Sequence, residues 1–233
     1  MIKRLIFDLD NTLITWESTY YSFAVENVCK DLHLTNYSEI LNIVITSIDN
    51  YEKNYEYFSI DNMVDLLNKN AYISNHSSIN FDKTFVQKLI HYFTFCIPEK
   101  VNTSVLETLE YLSKKYDLVV LTNWFEEPQI TRLQKLNILK YFSHVYGTEK
   151  IKNKPNKEAF KTAVGPFNVD ECIMIGDNIN TDIKGALNCN INVIFYNRKN
   201  IDISEILNTT QTCKKNLNNI KCITSLTELK EIL

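Results

Sequence analysis

The stretch Arg4-Leu5-Ile6-Phe7-Asp8-Leu9-Asp10-Asn11-Thr12-Leu13 decides how the chain folds. An apolar run of strand length, Arg4–Leu9, ends in two carboxylates and a turn. A run apolar on both faces is the pattern of a strand buried in the middle of a parallel sheet. Asp10 lies two residues beyond Asp8, on the same side of an extended backbone. Four more runs of the same kind follow: Asp117–Thr122, His144–Gly147, Cys172–Ile175 and Ile191–Tyr196. Helical apolar spacing separates them, over Asn102–Tyr116, Glu127–Leu139, Pro155–Val164 and Thr181–Asn188. In the first of these, Ser104 and Glu107 have the spacing of a capping box. Alternating strands and helices predict an α/β fold, a Rossmann-like parallel sheet. The tail after Ile201 is expected to add an edge strand near Lys221–Ile223 and a final helix, Leu226–Leu233.

Residues 16–96 interrupt this rhythm. Apolar residues recur there at helical spacing, giving expected helices Ser18–Leu32, Tyr37–Asn50, Ser59–Asn70 and Phe81–Phe95. The expected organisation is a core of residues 1–15 and 97–233, with 16–96 inserted after the first strand as a helical cap domain. Pro98 marks the return to the core.

Composition narrows the chemistry. The chain has 233 residues, 45% hydrophobic and 23% charged, with a net charge of −3. That balance argues against a nucleic-acid partner, which calls for a basic face. Lys pairs such as Lys114–Lys115 and Lys214–Lys215 read as solvated surface. No apolar run reaches membrane-spanning length, and MIKRLIFDLD is too acidic for a signal peptide, so a cytoplasmic protein is expected. The six cysteines contain no C-x-x-C pair and are expected as reduced thiols. There are only four glycines (147, 165, 176 and 185) and four prolines. A phosphate-cradling glycine-rich loop needs two or three glycines in one turn, so any phosphate here is held another way.

The predicted strands end in reactive groups: Asp8 and Asp10 after the first, Thr122-Asn123 after the second, and Gly176-Asp177 with Asp182 after the fourth. Lys154-Pro155 precedes the helix leading into that fourth strand. Ligands of open α/β sheets bind beyond the carboxyl ends of the strands, so these residues are expected in one crevice. Each alone is a weak signal; a D-x-D also occurs in metal-dependent sugar transferases, which leave Lys154 and the Gly-Asp element unexplained.

Together they resemble the haloacid dehalogenase (HAD) superfamily, in its phosphatase branch with a helical cap. Asp8-Leu9-Asp10-Asn11-Thr12-Leu13 matches the first motif, Thr122-Asn123 the second and Lys154-Pro155 the third. Gly176-Asp177-Asn178-Ile179-Asn180-Thr181-Asp182 matches the fourth. The resemblance implies strand order 5-4-1-2-3 and Mg²⁺-dependent phosphoryl transfer through an aspartyl-phosphate. Asp8 is placed as the nucleophile and Asp10 as general acid and base. Asp8, the backbone carbonyl of Asp10 and Asp177 are the expected Mg²⁺ ligands. Thr122, an amide at Asn123 and Lys154 would bind the phosphoryl oxygens, and Asp182 would orient a metal-bound water or fix Lys154. Asp10 separates phosphatases and mutases from the dehalogenases of this superfamily.

The pattern looks most like that of nucleotidases and sugar-acid-phosphate phosphatases. The expected activity is hydrolysis of a small phosphorylated metabolite, a nucleotide or sugar phosphate, by a monomer or homodimer. The alternatives are a phosphomutase of the β-phosphoglucomutase type and a silent binding protein on the same scaffold. Two positions depart from the family pattern. Trp124 stands where Gly is usual and either packs at the domain interface or meets substrate. Cys189-Asn190 replaces Ala-Gly; Asn190 is expected to take the left-handed conformation and Cys189 to be buried. Of the aromatics Trp16, Tyr20, Tyr21, Phe23, Tyr51, Tyr55, Tyr57 and Phe58, most are expected to pack the cap and some to face the site.

Overall fold

A computed structural model of the chain describes residues 1–76, 78–198, 200–201 and 220–233. Its centre is β1 (Arg4–Phe7), every residue of which is buried. Parallel to it run β2 (Asp117–Leu121), β3 (His144–Tyr146), β4 (Cys172–Gly176), β5 (Asn192–Tyr196) and β6 (Lys221–Ile223), in the order β3-β2-β1-β4-β5-β6. Over the first five strands this is the expected order read from the other edge, and β6 adds the expected edge strand beside β5. Register is set on both sides of β1: Arg4 pairs with Asp117 and with Cys172.

The pleat sorts the apolar side chains into two layers. Leu5, Phe7, Val120 and Ile175 face one side, where they meet Leu109 and Leu112 of α5 (Thr103–Ser113) and Leu133 of α6 (Glu126–Lys135). Ile6, Val119, Leu121 and Met174 face the other, against Phe160 of α7 (Lys157–Val164) and Leu187 of α8 (Lys184–Leu187). Covering both faces explains why each strand is apolar throughout.

The chain leaves the sheet through residues 8–18 and returns through residues 94–102. Between them lie α1 (Thr19–Asp31), α2 (Tyr37–Asn54), α3 (Ile60–Ile73) and α4 (Lys83–Phe93). Each helix packs on its neighbours, α1 also closing against α4. They bury a separate apolar cluster including Val28, Val44, Tyr51, Leu67 and Leu89.

Local chemistry moved several boundaries. Asn102 caps α5 by accepting the Ser104 N–H, displacing the capping box expected at Ser104 and Glu107. Asn156 caps α7 in the same way, so that helix starts two residues after Pro155. Ser59 and Asp82 cap α3 and α4. The expected helix Thr181–Asn188 is a π-helical turn, Ile179–Ile183, running into the single turn of α8. Helix α2 continues to Asn54, four residues past its expected end. The final helix begins as a 3₁₀ turn, Leu226–Glu228, before Leu229–Ile232. Asn190 takes the left-handed conformation (φ 59°), while Cys189 is only half-buried. Five described cysteines are free; Cys213 and the Lys214–Lys215 pair lie outside the described residues. No described helix is long and apolar enough to cross a membrane.

Candidate active site

Asp8 is the first residue beyond β1, anchored by its N–H to the Ile175 carbonyl of β4 (2.9 Å). The chain then turns sharply. Leu9 O accepts the Leu13 and Ile14 N–H groups, and Asn11 takes φ 66°, a conformation that Asn tolerates better than most residues. That turn directs Asp8 and Asp10 above the strand end.

Lys154 is only 2% exposed, and its Nζ donates to Asp8 Oδ1 (2.6 Å) and Asp182 Oδ1 (2.7 Å). Its backbone is seated by Asn123, whose side chain accepts the Lys154 N–H (2.8 Å) and donates to the Lys154 carbonyl (3.0 Å). Asn123 Nδ2 also reaches Glu52 Oε1 on α2 (2.7 Å), tying the strand end to the helical unit. The Asp182 carboxylate is fully buried and accepts the Asn178 N–H (3.1 Å) through Oδ2. It packs directly on Gly176: a Cβ there would lie 2.3 Å from Asp182 Oδ2. One of the chain's few glycines is thus required by close approach.

Carboxylate oxygens of Asp8, Asp177 and Asp182 lie within 4.8 Å of one another. Asp177 Oδ1 accepts from Thr12 Oγ1 (3.3 Å). Lys154 pairs with two of these three carboxylates, Asp8 and Asp182. Burial, partly opposed by Lys154 and reinforced by Asp182 and Asp10, pushes the Asp8 pKa from 3.8 to about 7. Burial also raises Asp182. Burial works against the Lys154 charge, but Asp182 and Asp8 outweigh it and raise its pKa. A cluster of hard oxygen donors with more negative charge than its lysine neutralises suits a divalent cation of the Mg²⁺ type.

Asp10 points elsewhere. Its Oδ2 accepts from Arg132 Nη1 and Gln129 Nε2 (3.0 Å each), and its Oδ1 lies 2.7 Å from Arg132 Nη2. Gln129 Nε2 also donates to Thr122 Oγ1 (3.0 Å) at the end of β2. Gln129 and Arg132 belong to α6 and are buried. Above these groups opens a cavity of about 350 Å³. Trp16, Tyr21, Phe93 and Trp124 line it, with Asp49 and Glu52 from α2. Trp124 lines the cavity and stands edge-on to Phe58 and Phe93.

Against known proteins, a model of the haloacid dehalogenase-like hydrolases matches residues 2–190. The chain belongs to the haloacid dehalogenase-like hydrolase family. This hydrolase is 23% identical over 209 residues to the pyrimidine 5′-nucleotidase PynA of Streptococcus pneumoniae, covering 86% of each chain. It is 28% identical over 210 residues to the glyceraldehyde 3-phosphate phosphatase of Pyrococcus abyssi, covering 84% of this chain and 82% of that one. Its fold matches the magnesium-bound HAD-hydrolase YfnB of Bacillus subtilis with a TM-score of 0.69 at 20% identity, over 100% of this chain and 98% of that chain.

Within this hydrolase, the structure brings Asp8, Lys154, Asp177 and Asp182 into one cluster. Gln129 ties Thr122 to Asp10, in a group beside that cluster. Asn123 enters through its side chain, which holds Lys154 and Glu52. Reading the sequence missed Gln129 and Arg132. Their signal was present: they fall in the core-facing phase of α6 with Leu133 and Leu136, where an apolar pair is expected. Glu52 was missed because α2 was read as ending at Asn50.

Proposed function

We propose that the chain is a Mg²⁺-dependent phosphomonoester hydrolase that works through an aspartyl-phosphate on Asp8. The observation that carries this reading is the bridge of Lys154 between Asp8 and Asp182, beside Asp177, at the carboxyl ends of the central strands. Lys154 occupies Asp8 Oδ1, so Oδ2 attacks phosphorus. The new Asp8 O–P bond forms as the ester P–O bond breaks, and Asp10 gives its proton to the departing oxygen. Asp10 then takes a proton from the water that attacks the acyl phosphate, releasing inorganic phosphate and free Asp8. Lys154, Thr122 and an amide at Asn123 stabilise the phosphoryl oxygens. Asp8, Asp177 and the Asp10 carbonyl would hold Mg²⁺, which would supply the charge neutralisation that lets an anion meet a phosphate dianion. Asp182 holds Lys154. Residues 16–96 form the cap, which supplies the walls of the leaving-group cavity.

The cavity's charge bears on the substrate. Arg132 is the one cation among the described residues lining it, and its guanidinium is taken by Asp10. Facing the leaving group are Asp49, Glu52 and four aromatic rings. Such walls suit a hydroxyl-bearing or ring-bearing leaving group without a second anion, as in a nucleoside monophosphate or a simple sugar phosphate. They disfavour the bisphosphate that a phosphomutase must hold. The test is phosphate release with Mg²⁺ from size-matched esters: glycerol phosphate, a phosphoglycerate, a pyrimidine nucleotide and a sugar bisphosphate. The uncharged leaving groups should lead in kcat/KM by about tenfold, one 1.4 kcal/mol step. No release from any ester refutes the activity; a lead for the phosphoglycerate or bisphosphate refutes the substrate class.

A further inference from the structure

Arg132 is an unusual side chain to find in the middle of an α/β core. It is 2% exposed, on the buried face of α6. Burying a guanidinium is costly, and apolar replacements of buried ion pairs are often as stable, so stability is a weak reason for its presence. Its contacts suggest a better one. Nη1 donates to Asp10 Oδ2 (3.0 Å), and Nη2 lies 2.7 Å from Oδ1 as an ion-pair contact. Nη1 also donates to Gln129 Oε1 (2.7 Å), and Gln129 donates to the same Asp10 oxygen that Nη1 holds (3.0 Å). A planar guanidinium lying along both oxygens of a carboxylate, with Gln129 on one of them, restrains its rotation as well as its distance. The Asp10 side chain remains 30% exposed, open to the cavity.

The same guanidinium touches both segments that join the helical unit to the sheet. Nη2 donates to the Cys96 carbonyl (3.2 Å) on the returning segment. Its carbon lies 5.3 Å from the centre of the Trp16 ring on the outgoing segment. One side chain therefore reads three things together: Asp10, the path out of the sheet and the path back.

Resting on the proposed phosphatase reading, we infer that Arg132, braced by Gln129, is a positioning residue that aims the Asp10 carboxyl at the leaving oxygen and makes that aim depend on how the two connecting segments sit. Arg132 exchanges no proton and touches no reacting atom. Swinging the helical unit away shifts Cys96 and Trp16, and with them the fork that holds Asp10.

A defect in proton donation is distinguishable from general damage by the leaving group. An aryl ester such as p-nitrophenyl phosphate expels a stable phenolate and needs little protonation, whereas an alkyl phosphate must be protonated as it leaves. In kcat/KM, which reports steps up to the first P–O cleavage, Arg132→Met should lose roughly 10²-fold on glycerol phosphate and under about tenfold on p-nitrophenyl phosphate. Arg132→Lys keeps the charge but not the fork, and should show the same selective loss. Thermal stabilisation by Mg²⁺ with trifluoroberyllate, a mimic of the acyl phosphate, should persist in Arg132→Met because the Asp8 cluster is untouched. Equal losses on both esters, full rescue by Lys, or loss of the trifluoroberyllate shift each overturn the positioning role. Absence of wild-type activity on both esters overturns the phosphatase reading and this inference with it.

Discussion

Raising the pH of the metal-free protein from 5 to 8 should weaken the fold, and Mg²⁺ should restore it most at the alkaline end. The cause is the buried Asp8 carboxyl, whose pKa rises from 3.8 to about 7 because burial outweighs the pull of Lys154. Below the unfolded value both states hold the proton and nothing is lost. Between the two values the unfolded chain releases its proton while the folded chain keeps it, so stability falls as pH rises. Above about 7 the full penalty applies. The whole span is on the order of 4 kcal/mol at 1.36 kcal/mol per pH unit, and about 2 kcal/mol of it falls between pH 5 and 7. Asp182, also raised by burial, adds in the same direction. Lys154 has a raised pKa, so its contribution is present throughout this window and is lost only at far higher pH. The half-buried carboxylates Glu171 and Glu228, lowered by Lys3 and by backbone N–H groups respectively, act below pH 5 and with the opposite sign. For a chain of this length about 2 kcal/mol corresponds to a fall of about 4–8 °C in midpoint. Melts followed by circular dichroism, in chelator and in Mg²⁺, measure it. A midpoint in chelator that is flat or rising between pH 5 and 7 refutes the reasoning. So does a Mg²⁺ shift no larger at pH 8 than at pH 5.

Two substitutions probe the same cluster from other directions. Asp8→Asn removes the nucleophile and one of the crowded charges: phosphate release should fall at least about 10³-fold, while the midpoint in chelator at pH 8 should rise. Gly176→Ala forces a methyl to within 2.3 Å of the Asp182 carboxylate, which is fully buried and has little room to retreat. It should cost about 1–3 kcal/mol in chemical denaturation and reduce turnover by displacing the partner of Lys154.

The sheet was legible because its strands are buried on both faces. Leu5, Ile6 and Phe7 are all 0% exposed, so the sequence over β1 shows an apolar run with no polar alternation to confuse it. Helix ends were less legible, because a cap is chosen among neighbours of similar chemistry: Asn102 and Ser104 both suit the role, and the backbone path selected Asn102. At the site, carboxylates stand out at strand ends, where a polar group interrupts an apolar run. The partners that orient them do not. Arg132 meets Asp10 across 122 positions of sequence, and only the packing of α6 brings them together. The expectation for Asn123 was a backbone amide, but its side chain is what the structure uses to seat Lys154, a pairing across 31 residues.

The central strand also sets the order in which the molecule can be made. β1 is synthesised before its partners, yet Arg4 pairs with Asp117 on one side and Cys172 on the other. Closing loops of that length has a conformational cost that is not offset until the distant strands exist. Helices α1 to α4 pack chiefly on one another, so they can collapse while the ribosome is still working. A nascent chain therefore carries a buried helical unit and an unpaired apolar strand at the same time. For that interval Leu5, Ile6 and Phe7 form a sticky segment, flanked by Lys3 and Arg4 on one side and Asp8 and Asp10 on the other. Those flanking charges oppose parallel, in-register pairing with a second copy, which would set like charges side by side, so the carboxylates proposed for chemistry also bear on how the strand meets its copies.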